Sequence, residues 1–322
     1  MESSFCVEAQ IVKGILYKWN FSLILCPIQL LMRYFFFLLL VSAALTASCQ
    51  SPRILIVTAH PDDETMFPVT VFKITHELGG SADLALLTDA SGGYNGRVAS
   101  SYYRMNLLDS VTGRKHLPLI RKKELLASGE ILGIGNFFFL DQPDDYYNRN
   151  EKPYLNGQNW DIGYVNRRLD RILEQGNYDF VFCLLPHEGQ HAHHKTASIS
   201  AIRAVQRMKG KRPIVLGAQA QDKNVQFSYT LLSGYPETKG STTAPVFQLD
   251  RSIHFGEDNK HSYMIVADWV KAAHKSQSGD MNQAMHRGEV ETFWFFEMNG
   301  DDRISETKQL FERLKSKGFP FK

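Results

Sequence analysis

From residue 53 onward, apolar and polar positions fall into blocks whose period changes along the chain. Ile54-Leu55-Ile56-Val57 is an unbroken apolar run ending in a proline-acidic cluster, the pattern of a strand buried on both faces, expected over 53–59. Residues 65–78 carry a helical pattern closed by Gly79-Gly80, and 83–88 reads as a second strand. A long helical stretch follows, clearest over 121–132 and stopped by Gly133, then a strand over 136–140 and an amphipathic helix over 161–175. A strand over 179–185, a helix over 194–208 and a strand over 213–217 close the regular series. Beyond it the pattern loosens into a Gly, Ser, Thr and Pro-rich stretch at 233–245, a helix over 262–275 and a late apolar strand at Thr292-Phe293-Trp294-Phe295-Phe296. Strands alternating with helices at this spacing predict an α/β fold, a Rossmann-like parallel sheet flanked by helices with right-handed crossovers. No internal repeat or linker interrupts it, so 50–322 is expected to be a single domain.

Residues 32–49 follow a different rule. Met32-Arg33 precedes an almost wholly apolar stretch from Tyr34 to Leu45, and Thr46-Ala47-Ser48-Cys49 ends it with small residues. This is the layout of a signal peptide, and the stretch is shorter than the roughly 20 residues a spanning helix needs. A Cys after Ala-Ser also matches the lipobox of a lipoprotein, although Thr46 stands where that pattern prefers a branched apolar residue, so plain secretion stays open. The protein is therefore expected to be exported to the cell envelope, anchored by lipidated Cys49 or released. Residues 1–31 fit no such pattern and read as an extension ahead of the true start at Met32. Of Cys6, Cys26, Cys49 and Cys183, only Cys183 lies well inside the expected mature chain, so no internal disulfide forms and Cys183 reads as a small core hydrophobe.

A net charge of +2 without blocks of like charge gives no footprint for nucleic acid. The chemistry sits elsewhere. His60-Pro61-Asp62-Asp63-Glu64 follows the first strand directly, and loops beyond the carboxyl ends of such strands are where α/β sheets bind ligands. One imidazole and two carboxylates within four residues suit a divalent metal with a carboxylate left over as a base. A second cluster, His187-Glu188-Gly189-Gln190-His191-Ala192-His193-His194, follows the run Phe180 to Leu185. Two such clusters can meet across one sheet edge, which is the pattern of a metal hydrolase. The bland readings are a turn with capping acids and a surface metal-scavenging patch. Gly92-Gly93-Tyr94-Asn95-Gly96 lacks the spacing of a dinucleotide loop. Glu64 reads as an acid favouring a helix start. Asp141 and Asp144-Asp145-Tyr146-Tyr147 follow the third strand, where they are placed to contact substrate hydroxyls, although the latter run reads rather as a solvated loop.

Ala59 to Glu64 after a first strand resembles the opening motif of the LmbE-like family of zinc-dependent N-deacetylases, which includes the PIG-L N-acetylglucosaminyl-phosphatidylinositol deacetylases. Arg121-x-x-Glu124 with Ala127, Ile131-Leu132-Gly133 and Phe139-Leu140-Asp141 resembles its helix and third strand. His191-Ala192-His193-His194 stands where that family has His-x-Asp-His, and Lys271 to Gln277 is similar to its late Lys-x-x-x-His-x-Ser-Gln segment. The resemblance covers about 53–277 and implies hydrolysis of the N-acyl amide of an amino sugar or its conjugate. It implies His60, Asp63 and His194 as metal ligands, Asp62 as the base that takes a proton from water, and His191 as a second electrophile or acid. His193 departs from the family's Asp, which leaves the ligand choice open among His191, His193 and His194. Two imidazoles and a carboxylate suit Zn2+ and also Fe2+. Arg104 and Tyr94 are the candidate substrate contacts, and the expected partner is a small amino-sugar substrate. Two rival functions share the scaffold, a non-catalytic carbohydrate-binding lipoprotein and an amidase of a different conjugate. Mass spectrometry of the native protein is expected to find no peptide from residues 1–31, and any such peptide would place the start upstream of Met32.

Overall fold

The computed structural model describes residues 51–93, 96–255, 258–277 and 285–315. The expected extension, signal peptide and Cys49, and the candidate Tyr94, lie outside these. Nine strands are described: β1 Arg53–Thr58, β2 Ser81–Thr88, β3 Ile134–Gln142, β4 Phe180–Leu184, β5 Ile214–Gln221, β6 Phe247–Asp250, β7 His254–Phe255, β8 His261–Ser262 and β9 Val290–Phe295. The helices are α1 Pro68–Phe72, α2 Arg97–Tyr103, α3 Ser110–Leu132, α4 Lys152–Leu155, α5 Ile162–Gly176, α6 Ala192–Arg207, α7 Met264–Ala273 and α8 Ile304–Lys315. Strand order in the main sheet is β3-β2-β1-β4-β5-β9-β6.

The first five strands are parallel, as their apolar runs predict. β9 is not: it lies antiparallel between β5 and β6, so the sheet is mixed rather than wholly parallel. All six residues of β9 are buried, and a run buried on both faces looks the same in sequence whichever way it points. β6 alternates buried and more exposed positions, as suits an edge strand. The expected helix over 65–78 is also corrected. It is broken into a 3-10 turn at Asp63–Met66, α1, and a wider π turn at Lys73–Glu77. Pro68 is the cause, because it lacks an N–H and forces Phe67 out of the helical region (φ −147°, ψ 42°). Gly133 ends α3 in the left-handed conformation, as its position predicts.

Alternate residues of each strand feed two cores. Ile54, Ile56, Leu84, Leu86 and Phe182 face α1, α3, α7 and α8, while Leu55, Val57, Ala85 and Val181 face α5 and α6. Cys183 lies in the second core, and burial pushes its thiol up to about 12. β1 is flanked by β2 on one side and β4 on the other, so the chain reverses its direction of winding there. The crevice at the carboxyl ends of β1 and β4 is the switch point of the sheet.

The chain leaving β1 is tied to the far side of the sheet by Glu291 on β9. Its buried carboxylate accepts the N–H groups of Val69 and Thr70, each at 2.8 Å, and faces Arg251 Nη1 at 3.5 Å. Glu291→Ala strands the Arg251 charge and two amide donors. The expected loss in urea unfolding is about 3–5 kcal/mol, with the slope of the transition unchanged.

Candidate metal centre

The loop after β1 is shaped by Asp63. Its Oδ2 accepts the N–H of Ala59 at 2.8 Å and of His60 at 2.9 Å, which folds the turn back and leaves Oδ1 facing outward. Asp62 sits at φ 127°, ψ −16°, a conformation costly to a residue with a Cβ, on the order of 1–3 kcal/mol. Its N–H is held by Glu64 Oε2 at 3.0 Å. The loop after β4 reaches the same crevice. His191 caps α6, its Nδ1 accepting the N–H of His193 at 3.2 Å, and the first turn of that helix turns three imidazoles toward β1.

His60 Nδ1 lies 2.9 Å from His194 Nε2, which lies 3.0 Å from Asp63 Oδ1, and His60 Nδ1 to Asp63 Oδ1 is 4.0 Å. These edges average about 3.3 Å. A tetrahedron whose corners lie about 2.0–2.1 Å from its centre has edges of nearly that length. His194 Nδ1 is 2.9 Å from Gln190 Oε1, so the proton sits on Nδ1 and the lone pair of Nε2 points into the triangle. The donor set and its spacing fit zinc. A second grouping of potential ligands, His60, His191 and His193, shares His60.

Asp144 and Asp145 correct the expectation of a solvated loop. Trp160 Nε1 donates to Pro143 O at 2.9 Å and Arg114 to Asp144 O at 3.0 Å, folding the segment back over the crevice. Asp144 is buried, accepts the Gly92 N–H at 3.0 Å, and brings Oδ1 to 3.5 Å from both His60 Nε2 and His193 Nδ1. A Cβ on Gly92 would meet that carboxylate at 2.6 Å, so the close approach needs glycine. The place of Asp144 and Asp145 after the third strand of the same sheet marked them as groups within reach of the site, but not as the partners of His60 and His193 that they are. Glu64 does stand in the first turn of the 3-10 helix and accepts the Asp62 N–H, but it does more than that. It is fully buried, 2.5 Å from Ser128 Oγ and 2.5 Å from His274 Nε2.

The remaining motifs brace the loops. Arg121 donates to Gly92 O at 2.6 Å and Gly93 O at 2.9 Å, while Ser276 donates to Glu124 through N at 2.8 Å and Oγ at 2.6 Å. Arg104 stands exposed at the left-handed end of α2, and among the described residues no hydrogen bond or ion pair joins it to the cluster.

Burial raises Asp62, and the adjacent Asp63 carboxylate raises it further, to about 7, where a carboxyl can both take and give a proton. Burial would raise Asp63 too, but His194 and His60 outweigh it and hold Asp63 well below the usual range. For His60, burial opposes the cation, yet Asp144, Asp63 and Asp62 prevail and raise it to about 9. Burial and the imidazoles around it push His191 down to about 3, so it is neutral near pH 7. Since its Nδ1 accepts, its proton is on Nε2, a donor facing outward from the cap.

Residues 55–205 match the family model described as PIG-L: GlcNAc-PI de-N-acetylase. The probable N-acetyl-alpha-D-glucosaminyl L-malate deacetylase 2 of Bacillus cereus is 25% identical over 163 residues, 50% of this chain. The match spans 65% of that relative's length. Among solved structures, the zinc-inhibited form of teicoplanin deacetylase Orf2 is similar at 16% identity, covering 75% of this chain and 97% of that one with a TM-score of 0.44. The N,N'-diacetylchitobiose deacetylase of Pyrococcus horikoshii gives 16% identity, 78% and 87% coverage and a TM-score of 0.43. GalB, the 4-carboxy-2-hydroxymuconate hydratase of Pseudomonas putida, gives 15%, 76%, 95% and 0.44.

Removing His274 leaves the buried Glu64 carboxylate with only the Ser128 hydroxyl and the Asp62 N–H, and no cation. His274→Ala is expected to cost about 3–5 kcal/mol in chemical unfolding. Burial opposes the His274 cation, but Glu64 prevails and raises its pKa above the ordinary value. The contribution of the charged ring is therefore full below about pH 6.5 and lost as pH rises through the raised pKa. The gap between wild type and His274→Ala should narrow on the alkaline side; a gap that widens there would show the ring is buried neutral.

Proposed function

We propose, for a chain that belongs over residues 55–205 to the PIG-L family of GlcNAc-PI de-N-acetylases, that it hydrolyses the N-acetyl amide of an amino-sugar conjugate with the help of a bound zinc ion. The triangle of His60 Nδ1, Asp63 Oδ1 and His194 Nε2 at the switch point of the sheet carries this reading. A zinc ion held by these three residues would polarise the amide carbonyl and make water acidic enough to attack near neutral pH.

The other groups divide the proton and charge work. Asp62 makes no cap hydrogen bond, and its pKa raised to about 7 suits its carboxylate to accept a proton from the attacking water. It then returns that proton to the departing nitrogen, without which the amine is a poor leaving group. The neutral His191, with its proton on Nε2, donates a hydrogen bond to the oxygen that gains charge when water adds. Asp144 and the helix cap hold these groups in place before substrate arrives, which lowers the cost of reaching the reactive geometry.

The substrate class follows the relatives: an N-acetylated glucosamine joined to a second group. On the same reading the enzyme is exported by residues 32–49 to the cell envelope, held by lipidated Cys49 or released, where it meets glycoconjugates rather than nucleic acid.

Acetate release from N-acetylglucosaminyl conjugates, measured beside zinc content, tests the proposal. Asp62→Asn is expected to keep about one zinc per chain and lose on the order of 10²–10⁴ in rate. His60→Ala with Asp63→Ala should lose the zinc itself. Full turnover by Asp62→Asn would remove the base from the scheme. Sugar binding without amine release at saturating zinc would favour a carbohydrate-binding protein instead.

A further inference from the structure

His193 stands where the family resemblance expects an acid, and its surroundings show what an imidazole does there. It is fully buried, with the Tyr154 ring edge-on at 4.6 Å between centroids and the Trp160 ring at 5.2 Å. Its Nε2 lies 3.0 Å from Asp145 Oδ1, and its Nδ1 lies 3.0 Å from His60 Nε2. Asp145 is itself fixed, accepting from Tyr154 Oη at 2.7 Å and from Asn159 Nδ2 at 3.1 Å.

With both rings neutral, the form a metal ligand needs, these contacts allow one consistent placement of protons. A carboxylate only accepts, so His193 carries its proton on Nε2 and offers a lone pair at Nδ1. His60 must then donate from Nε2, which leaves the lone pair of its Nδ1 facing His194 Nε2 and Asp63 Oδ1. Gln190 has already set the lone pair of His194 in the same direction. All three atoms of the triangle are then acceptors, 2.9–4.0 Å apart, with a cation as their natural common partner.

We propose that His193 is a positioning residue: the chain Asp145–His193–His60 fixes the tautomer and ring orientation of His60 and so raises the affinity of the centre for zinc. This rests on the reading of His60, Asp63 and His194 as the metal ligands. Outer-shell partners of a ligating histidine are typically worth about 10–100-fold in metal affinity.

Three variants separate the contributions. His193→Leu removes the acceptor. His193→Asn places an amide oxygen two bonds from Cβ, where Nδ1 stood, and so keeps an acceptor for His60 without the link to Asp145. Asp145→Asn keeps the chain but removes its charge. Zinc affinity of the purified full chain, measured by competition with a chromophoric chelator, is expected to fall about 10–100-fold in His193→Leu. His193→Asn should recover part of that loss, and Asp145→Asn should lose less than His193→Leu. Melting of the zinc-free forms reports whether each variant folds. Should His193→Leu fail that check, nitrogen-15 NMR of labelled histidines in the zinc-loaded wild type decides: His193 protonated on Nε2 and bare on Nδ1 supports the chain.

A proton on Nδ1 of His193, or wild-type affinity in a folded His193→Leu, overturns the proposal. So does binding of two zinc ions by the wild type and one by His193→Leu, which would make His193 a ligand with His60 Nε2 and Asp144. A wild type that binds no zinc, or whose binding survives His60→Ala, fails differently: it removes the metal centre, and the positioning role with it.

Discussion

β1 and β4 lie hydrogen-bonded side by side and parallel, with Val57 opposite Cys183, although the chain builds β2 and β3 between them. In a parallel pair both strands end on the same edge, so whatever follows Thr58 and whatever follows Leu184 must emerge together. The polar clusters at His60 and His191 are neighbours for that reason alone. Register matters as much as adjacency. A slip of one residue would exchange the two core faces of the strand and turn His60 away from α6.

Burial sets the chemistry of what emerges. Asp63, Asp144 and Glu64 are removed from water at the end of a hydrophobic sheet, where an unpaired carboxylate is expensive. Each is compensated in a different way. Glu64 is matched by His274, and Asp63 by two backbone amides and two imidazoles. Asp144 is matched by Gly92 N–H and by His60 and His193. Asp62 has the least compensation, and it is the carboxyl whose pKa rises toward neutrality. The opposite shifts of Asp62 and Asp63, two adjacent residues of one type, come from hydrogen bonding and burial.

Much of this was legible in advance. The apolar runs located the five parallel strands, Gly133 marked the end of α3, and the residue types after β1 and β4 marked the site. The segments 121–124 and 271–277 were recognisable as motifs, but their work was not: they clasp the glycine loop and the segment carrying Glu64, through contacts between residues far apart in the chain. Asp144 and Asp145 looked like solvent-facing acids because composition cannot show that Trp160 and Arg114 fold their loop inward.

The sequence by itself determined the elements, the cores and the set of groups available for chemistry, because these depend on local periodicity and residue type. Tertiary structure alone decided the direction of β9 and which nitrogen of each imidazole faces the triangle. The first rests on backbone pairing with β5 and β6, the second on distances of about 3 Å between side chains brought together by the sheet. No spacing along the chain encodes such distances, because a hydrogen bond depends on where two atoms meet and not on where their residues stand in the sequence.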